Sequence, residues 1–262
     1  MKIGILSKKT KGFGGMMKDY FERQGHQVSI YTQENLVLNN NLFKNDVYVQ
    51  KSKTLFYLYA GYFLEENGIP VLPSPKITDH HKNRILVHEY LKNADLLFPQ
   101  YFFGSLNAFR NNIEMLSFPL IKKPLTGSRS FGVTIINTIE DLEPYSNEMI
   151  YLEEYLEGTH YCVYFIKNNI CQLEKPPLSS EHADMELVPT DPKVKKIIKK
   201  WINSFKGEIM FGHLDMVKET SSNRFYVVDP GSFPEFDNWK CKIDPLEEIC
   251  EMLLGKFNKL VE

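Results

Sequence analysis

What most restricts the fold of this chain is a change of rhythm near residue 118. Before it, short apolar runs alternate with helix-spaced segments; after it, apolar runs follow one another with few helices between. Ile3–Leu6, Val28–Tyr31, Asp46–Gln50 and Ile69–Leu72 read as strands. Met16–Gln24, which stops at Gly25, and Leu55–Glu66, which stops at Asn67-Gly68, read as helices between them. Strands separated by helices imply crossovers, and crossovers build a parallel sheet with helices on its faces. Phe118–Lys122, Met149–Leu156, Tyr161–Lys167, Ile170–Leu173, Ile209–Val217 and Arg224–Asp229 read instead as strands of an antiparallel, α+β arrangement. Further helices are expected over Thr78–Lys92, with Thr78 as N-cap and Asp79 in the first turn, over Pro192–Phe205, and over Asp244–Leu260. The predicted fold class is therefore α/β followed by α+β, with no internal repeat.

Composition removes several function classes. A hydrophobic fraction of 43% over 262 residues supports a sizeable core, and a net charge of −2 gives no global drive onto nucleic acid. Mean hydropathy is −0.31, and no apolar run approaches the roughly 18 residues of a membrane span. Met1–Ser7 reads as a first strand and not as a secretion signal. Cys162, Cys171, Cys241 and Cys250 form no C-x-x-C pair, so free thiols in a reducing cytoplasm are expected. There is no Walker loop, nucleophile elbow or H-E-x-x-H helix. Gly12-Phe13-Gly14-Gly15 lacks the last glycine of a dinucleotide fingerprint and reads as part of a flexible Lys8–Gly15 loop. His80-His81 reads as a solvated pair, and Lys193–Lys200 as a solvated helix face beside Val194, Ile197 and Ile198.

Three segments carry chemistry. Phe118–Val133 delivers Lys122-Lys123 on a strand, then a loop, Gly127-Ser128-Arg129-Ser130, whose backbone N–H groups can approach phosphate oxygens. Arginine is scarce here, with Arg129 one of only five, so its place inside a glycine loop suggests a planar anion-binding fork. In Tyr151–Gly158, the strand end around Glu153, Glu154, Tyr155 and Leu156 can offer backbone groups to a planar base. Phe211–Val217 and Phe225–Pro234 each place a carboxylate in an apolar strand, Asp215 and Asp229, with Ser221-Ser222-Asn223 as the turn between them. Such carboxylates need a partner or a metal, and two with open positions suit Mg²⁺ shared with phosphates.

Taken in this order, the segments resemble the ATP-grasp superfamily, nearest its RimK-type and glutathione-synthetase-like ligases, over nearly the whole chain. The resemblance implies a pre-ATP-grasp α/β domain over 1–76 and an ATP-grasp domain over 77–262. The latter would divide into a lid subdomain at about 115–156 and a C-terminal subdomain at about 157–262. It implies ATP and Mg²⁺, with Lys123 and Arg129 as catalytic charges and Gly127, Ser128 and Ser130 covering phosphate. Glu153 or Glu154, Tyr155 and Leu156 would form the adenine hinge, and Asp215 and Asp229 would hold the metal. Lys122 would face away from the nucleotide. His160 stands where the superfamily has a ribose-binding carboxylate, and Lys175 joins the nucleotide set. Arg84, better spaced than Lys82, would be the central-domain cation. Gly231 stands where an asparagine ligand is usual, leaving Ser232 or a water to substitute. The chain is short for a RimK-type enzyme, so its substrate-side loops are expected to be trimmed.

The implied activity is ATP-dependent joining of a small-molecule or peptide carboxylate to an amine through an acyl phosphate, without nucleic acid or membrane partners and with homo-oligomerisation open. The first alternative is a small-molecule kinase of the ATP-grasp inositol-phosphate type, with Lys51, Lys53, Lys76, Lys82 and Lys175 around a phosphorylated acceptor. The second is a non-catalytic nucleotide-binding module.

Overall fold

The computed structural model describes residues 1–125, 132–142, 149–177 and 185–261. Its first part is a parallel sheet built from β1 (Lys2–Leu6), β2 (Gln27–Tyr31), β3 (Val47–Gln50) and β4 (Val71–Leu72), in the order β2-β1-β3-β4. The two central strands are near-continuous apolar runs, as a sheet covered on both faces requires. Helix α1 (Phe13–Arg23) covers one face and α2 (Leu55–Glu66) the other. Helix α1 starts three residues before the expected Met16, so Phe13, Gly14 and Gly15 belong to its first turn and not to a loop. At its end Gly25, at φ +83°, takes the left-handed conformation that turns the chain back into β2.

The expected single helix over Thr78–Lys92 is two helices, α3 (Pro75–Lys82) and α4 (Arg84–Asn93). Ser74, not Thr78, caps the first, accepting from the Ile77 N–H at 3.3 Å with Pro75 at the first helical position. The break falls at Asn83, whose extended backbone (φ −95°, ψ 114°) ends α3. Its side chain then caps α4 by accepting from the Ile85 and Leu86 N–H groups. The break is fixed from outside, because the Arg84 N–H donates to the Leu125 carbonyl at 3.3 Å.

Two antiparallel sheets complete the fold. The first contains β5 (Tyr101–Gly104), β6 (Leu120–Lys123), β7 (Thr134–Ile136) and β8 (Ile150–Glu154), in the order β5-β8-β6-β7. Helix α5 (Leu106–Asn111) gives it a core of its own, with Leu106 and Phe109 on Leu120, Ile136, Ile150 and Leu152. This sheet thus draws its first strand from residue 101 onward. The second sheet contains β9 (Gly158–Ile166), β10 (Asn169–Lys175), β11 (Glu186–Leu187), β12 (Phe211–Glu219) and β13 (Phe225–Gly231), in the order β11-β10-β9-β12-β13. Alternation splits its residues cleanly. Cys162, Tyr164 and Ile166 join the parallel sheet, α1 and α7 (Pro245–Val261) in one core, while Val163 and Phe165 pack with α4 and α6 (Pro192–Ser204) in another. Helix α6 buries Val194, Ile198 and Trp201, an i, i+4, i+7 stripe, and leaves its lysines to solvent. Among the described residues no helix is long and apolar enough to cross a membrane.

His81 belongs to this second core and is not solvated. It is 4% exposed, its ring stacked on Phe205 and edge-on to Trp201, with Nδ1 2.8 Å from the Ile77 carbonyl. Burial pulls it down from its ordinary 6.5 to about 3. Because the folded state favours the neutral ring, its contribution is complete above the ordinary value and is lost as pH falls toward 3. Between pH 7 and 4.5 that loss amounts to about 2–3 kcal/mol. Urea titrations at the two pH values should show His81→Phe losing less stability on acidification than the parent; equal losses would refute the assignment.

Candidate functional site

The face of the β5-β8-β6-β7 sheet opposite its own core presents Ile121 and Lys123 from β6 and Tyr151 and Glu153 from β8, which pair directly across the strands. Period two puts Lys123 on this face and turns Lys122 to the other. Lys123 is nearly buried, ion-pairs with Glu153, and donates to the Val228 carbonyl at 3.2 Å. That carbonyl belongs to β13 in the neighbouring sheet, so one lysine bridges the two antiparallel sheets. The acceptor is available because of a β-bulge. The register runs Asp215 to Asp229 and then Met216 to Val227, leaving Val228 unmatched.

One step along β13 lies the acidic pair. Asp215 and Asp229 face each other in register. Lys175 donates to Asp215 at 2.7 Å, and Arg84, placed by the Asn83 break, donates to Asp229 at 3.2 Å. Burial alone would raise the Asp229 carboxyl, but Arg84, Lys53 and Lys123 outweigh it and hold it at about 2. Burial opposes the Arg84 charge, yet Asp229 and Glu153 carry its pKa above the ordinary value. Burial likewise opposes Lys175, and Asp215 carries it upward. Arg84 Nε is buried with no hydrogen-bond partner among the described residues, a donor left for an incoming anion. No group of three or more His, Cys, Asp and Glu gathers among the described residues, so these residues form no closed metal cage. Two carboxylates with a row of cations beside them fit an ion such as Mg²⁺, which completes its shell with phosphate and water.

His213 sits beside this pair, across from Gly231 in the same register, with its ring near Tyr164. A Cβ at position 231 would collide with that ring. Its Nδ1 is buried without a partner among the described residues. The absent asparagine side chain is thus matched by an imidazole that fills the space.

Several expectations change. Both edges of β8 are occupied, by β5 and β6, which pair with Glu153 from either side. The Glu153 carboxylate holds Lys123, and the Glu154 N–H goes to the Gln100 carbonyl. Strand β8 ends at Glu154; the Tyr155 N–H still donates to the Pro119 carbonyl at 3.4 Å, and Leu156 follows it. His160 lies opposite Lys175 in the register, and burial, then Lys175, lowers its pKa. Arg84 and not Lys82 reaches Asp229. The five-lysine pocket does not assemble. Lys51 is tied to Glu235 at 2.8 Å, Lys175 to Asp215, and Lys76 is exposed. Lys53 and Lys82 remain near Asp229, each lowered by burial first, with Lys53 next among the causes at Lys82. Gly127, Ser128, Arg129 and Ser130 lie outside the described residues. Sequence reasoning passed over His213, His88 and Tyr151. Only Tyr151 left a trace, two residues before Glu153 on the same strand face.

No family model matches the chain. Solved structures do. A RimK domain ATP-grasp protein from Sphaerobacter thermophilus superposes with a TM-score of 0.76 at 13% identity, covering 97% of this chain and 98% of that one. D-alanine–D-alanine ligase from Bacillus anthracis gives 0.67 at 15% identity, over 100% of this chain and 96% of that one. The ATP-grasp ligase PsnB, solved with a minimal precursor, Mg and ADP, gives 0.67 at 14% identity over 98% of each chain. The chain has the ATP-grasp fold.

The contact between Gly231 and His213 yields a direct test. Gly231→Ala should lower stability by about 1–3 kcal/mol, the usual effect of overpacking. Adding His213→Ala should restore most of it in a denaturant titration. If the double variant is no more stable than Gly231→Ala alone, the ring is not what excludes a side chain at 231.

Proposed function

We propose that this protein is an ATP-dependent carboxylate–amine ligase. The observation that supports this best is the meeting of Lys123, Arg84 and Lys175 with the facing pair Asp215 and Asp229 where the two antiparallel sheets of an ATP-grasp fold adjoin. A carboxylate oxygen of the acid substrate attacks the γ-phosphorus, ADP leaves, and the acyl phosphate is attacked by an amine nitrogen with loss of inorganic phosphate and a proton. Such chemistry asks for positioning and charge neutralisation and needs no side-chain nucleophile. Lys123 and Arg84 offset charge on the transferred phosphoryl group, with the orphan Arg84 Nε as one donor to it. Arg129, with Gly127, Ser128 and Ser130, is assigned to covering the phosphates. Tyr155 and Leu156 meet the adenine through their backbone, and His160 lies toward the ribose. Mg²⁺, when bound to Asp215 and Asp229, would neutralise phosphate charge. Four free thiols, three of them buried, fit a reducing compartment.

One observation favours the kinase alternative: Lys53 and Lys82 add positive charge beside Asp229 that no described ion pair consumes. Hydroxylamine separates the readings, because it traps acyl phosphates. With ATP, Mg²⁺ and a panel of amino acids and dipeptides, a ligase yields hydroxamate, ADP and inorganic phosphate. A phosphorylated acceptor that survives hydroxylamine would identify a kinase. Asp229→Asn should cut turnover by orders of magnitude at saturating Mg²⁺; a variant with the parental rate would remove Asp229 from the metal site.

A further inference from the structure

A buried chain of hydrogen bonds runs from helix α4 into the site. His88 Nε2 lies 2.5 Å from the Tyr151 hydroxyl, which donates to Glu153 Oε1 at 2.7 Å, and Glu153 Oε2 accepts from Lys123. All four side chains are shut away from water, at 4%, 1%, 2% and 9% exposure. The His88 ring is clamped face to face on Tyr101, with centroids 4.0 Å apart and planes within 4°.

The direction of each bond follows from the chemistry. A carboxylate only accepts, so Tyr151 donates to it, and the Tyr151 oxygen must then accept from His88. This assigns the proton to Nε2 and leaves Nδ1 bare. Nδ1 is the ring nitrogen that is buried without a partner among the described residues, where a bare nitrogen is less unfavourable than an orphan N–H. Burial favours this neutral ring, holding His88 at about 4; the Glu153 charge opposes it, and the nearby Lys123 and Arg84 charges act with burial.

Lys123 shows what the chain is for. An ammonium has three N–H donors. Among the described residues, one goes to Glu153 and one to Val228. Two fixed bonds on a tetrahedral nitrogen also fix the direction of the third. We propose that His88 and Tyr151 are positioning residues that, by locking Glu153, aim the remaining Lys123 N–H at the nucleotide phosphate. This rests on the reading above, in which Lys123 meets ATP. A point charge on a flexible stem is useful only where its stem is held, and small displacements of reacting groups are expensive.

The test is a double-mutant cycle on binding of a non-hydrolysable ATP analogue with Mg²⁺, followed by calorimetry. Lys123→Met should weaken binding roughly ten- to a hundredfold, and Lys122→Met far less. Tyr151→Phe, which keeps the ring, should weaken it several-fold in the parent and not at all in the Lys123→Met background. His88→Gln, which retains a donor, should bind nearly as the parent does, and His88→Leu as weakly as Tyr151→Phe. If Lys123→Met leaves affinity unchanged, the nucleotide reading falls and the proposal with it. If Lys123→Met weakens binding but Tyr151→Phe and His88→Leu do not, or act equally in both backgrounds, the positioning role alone is overturned. Stability measured beside affinity exposes a purely structural effect, which would lower the melting temperature of Tyr151→Phe and weaken binding equally in both backgrounds, overturning the positioning role.

Discussion

An ammonium removed from water must be surrounded by acceptors, and the architecture around Lys123 follows from that requirement. Removing one partner of a buried ion pair is strongly destabilising, whereas the intact pair adds little net stability. The Lys123–Glu153 pair is therefore better understood as a device for holding a charge in place than as a source of stability. Its supports come from three places in the chain: Glu153 from β8, the Val228 carbonyl from β13, and the polar chain behind Glu153 from α4. The acidic pair shows the same economy. Asp215 and Asp229 are each held by a cation, Lys175 and Arg84, so neither carboxylate stands as an uncompensated charge.

The scaffold separates what stays fixed from what can shift. One apolar core unites the parallel sheet, α1, α7 and one face of the five-stranded sheet, so the beginning and end of the chain are parts of a single body. Lys51 and Glu235 reinforce that union. Lys51 comes from the end of β3, and Glu235, beyond β13, also accepts from the Phe13 N–H at the start of α1. The four-stranded sheet has a core of its own under α5. Its polar ties to the rest of the molecule include Lys123 to Val228 in β13 and Leu125 to Arg84 in α4. Elements with separate cores open at separate free energies, and those that move in function come from the weaker end.

Much of this was legible in the sequence, and most of the exceptions share a cause. The parallel and antiparallel halves followed from strand and helix spacing, and the opposite facing of Lys122 and Lys123 from period two, with the choice of Lys123 as the inward one resting on the resemblance. Asp215 and Asp229 were visible as carboxylates in apolar strands. Thr78–Lys92 reads as an uninterrupted helix because its local pattern is sound; the break at Asn83 depends on a bond to Leu125, far along the chain. That β5, some fifty residues earlier, covers the second edge of β8 at Glu153 is equally invisible to local pattern. His88 and Tyr151 are 63 residues apart, beyond the reach of any local pattern. These misses are decided by tertiary contact, whereas the Ser74 cap before Pro75 is a local signal that the reading of Thr78 passed over.

The unmatched residue in β13 has a consequence for how this site can vary. Counting in twos from Phe225 and Val227, which face the α6 core, would send Asp229 into that core as well. Val228 resets the count, so the strand runs in one phase before it and in the other phase after it. The core-facing half and the chemistry-bearing half of β13 are thereby uncoupled. Substitutions that tune apolar packing at 225 and 227 need not disturb 229 and 231. Straightening the bulge with no residue lost would set Val228 opposite Asp215 in place of Asp229 and carry the aspartate into the apolar core as a buried, unpaired charge.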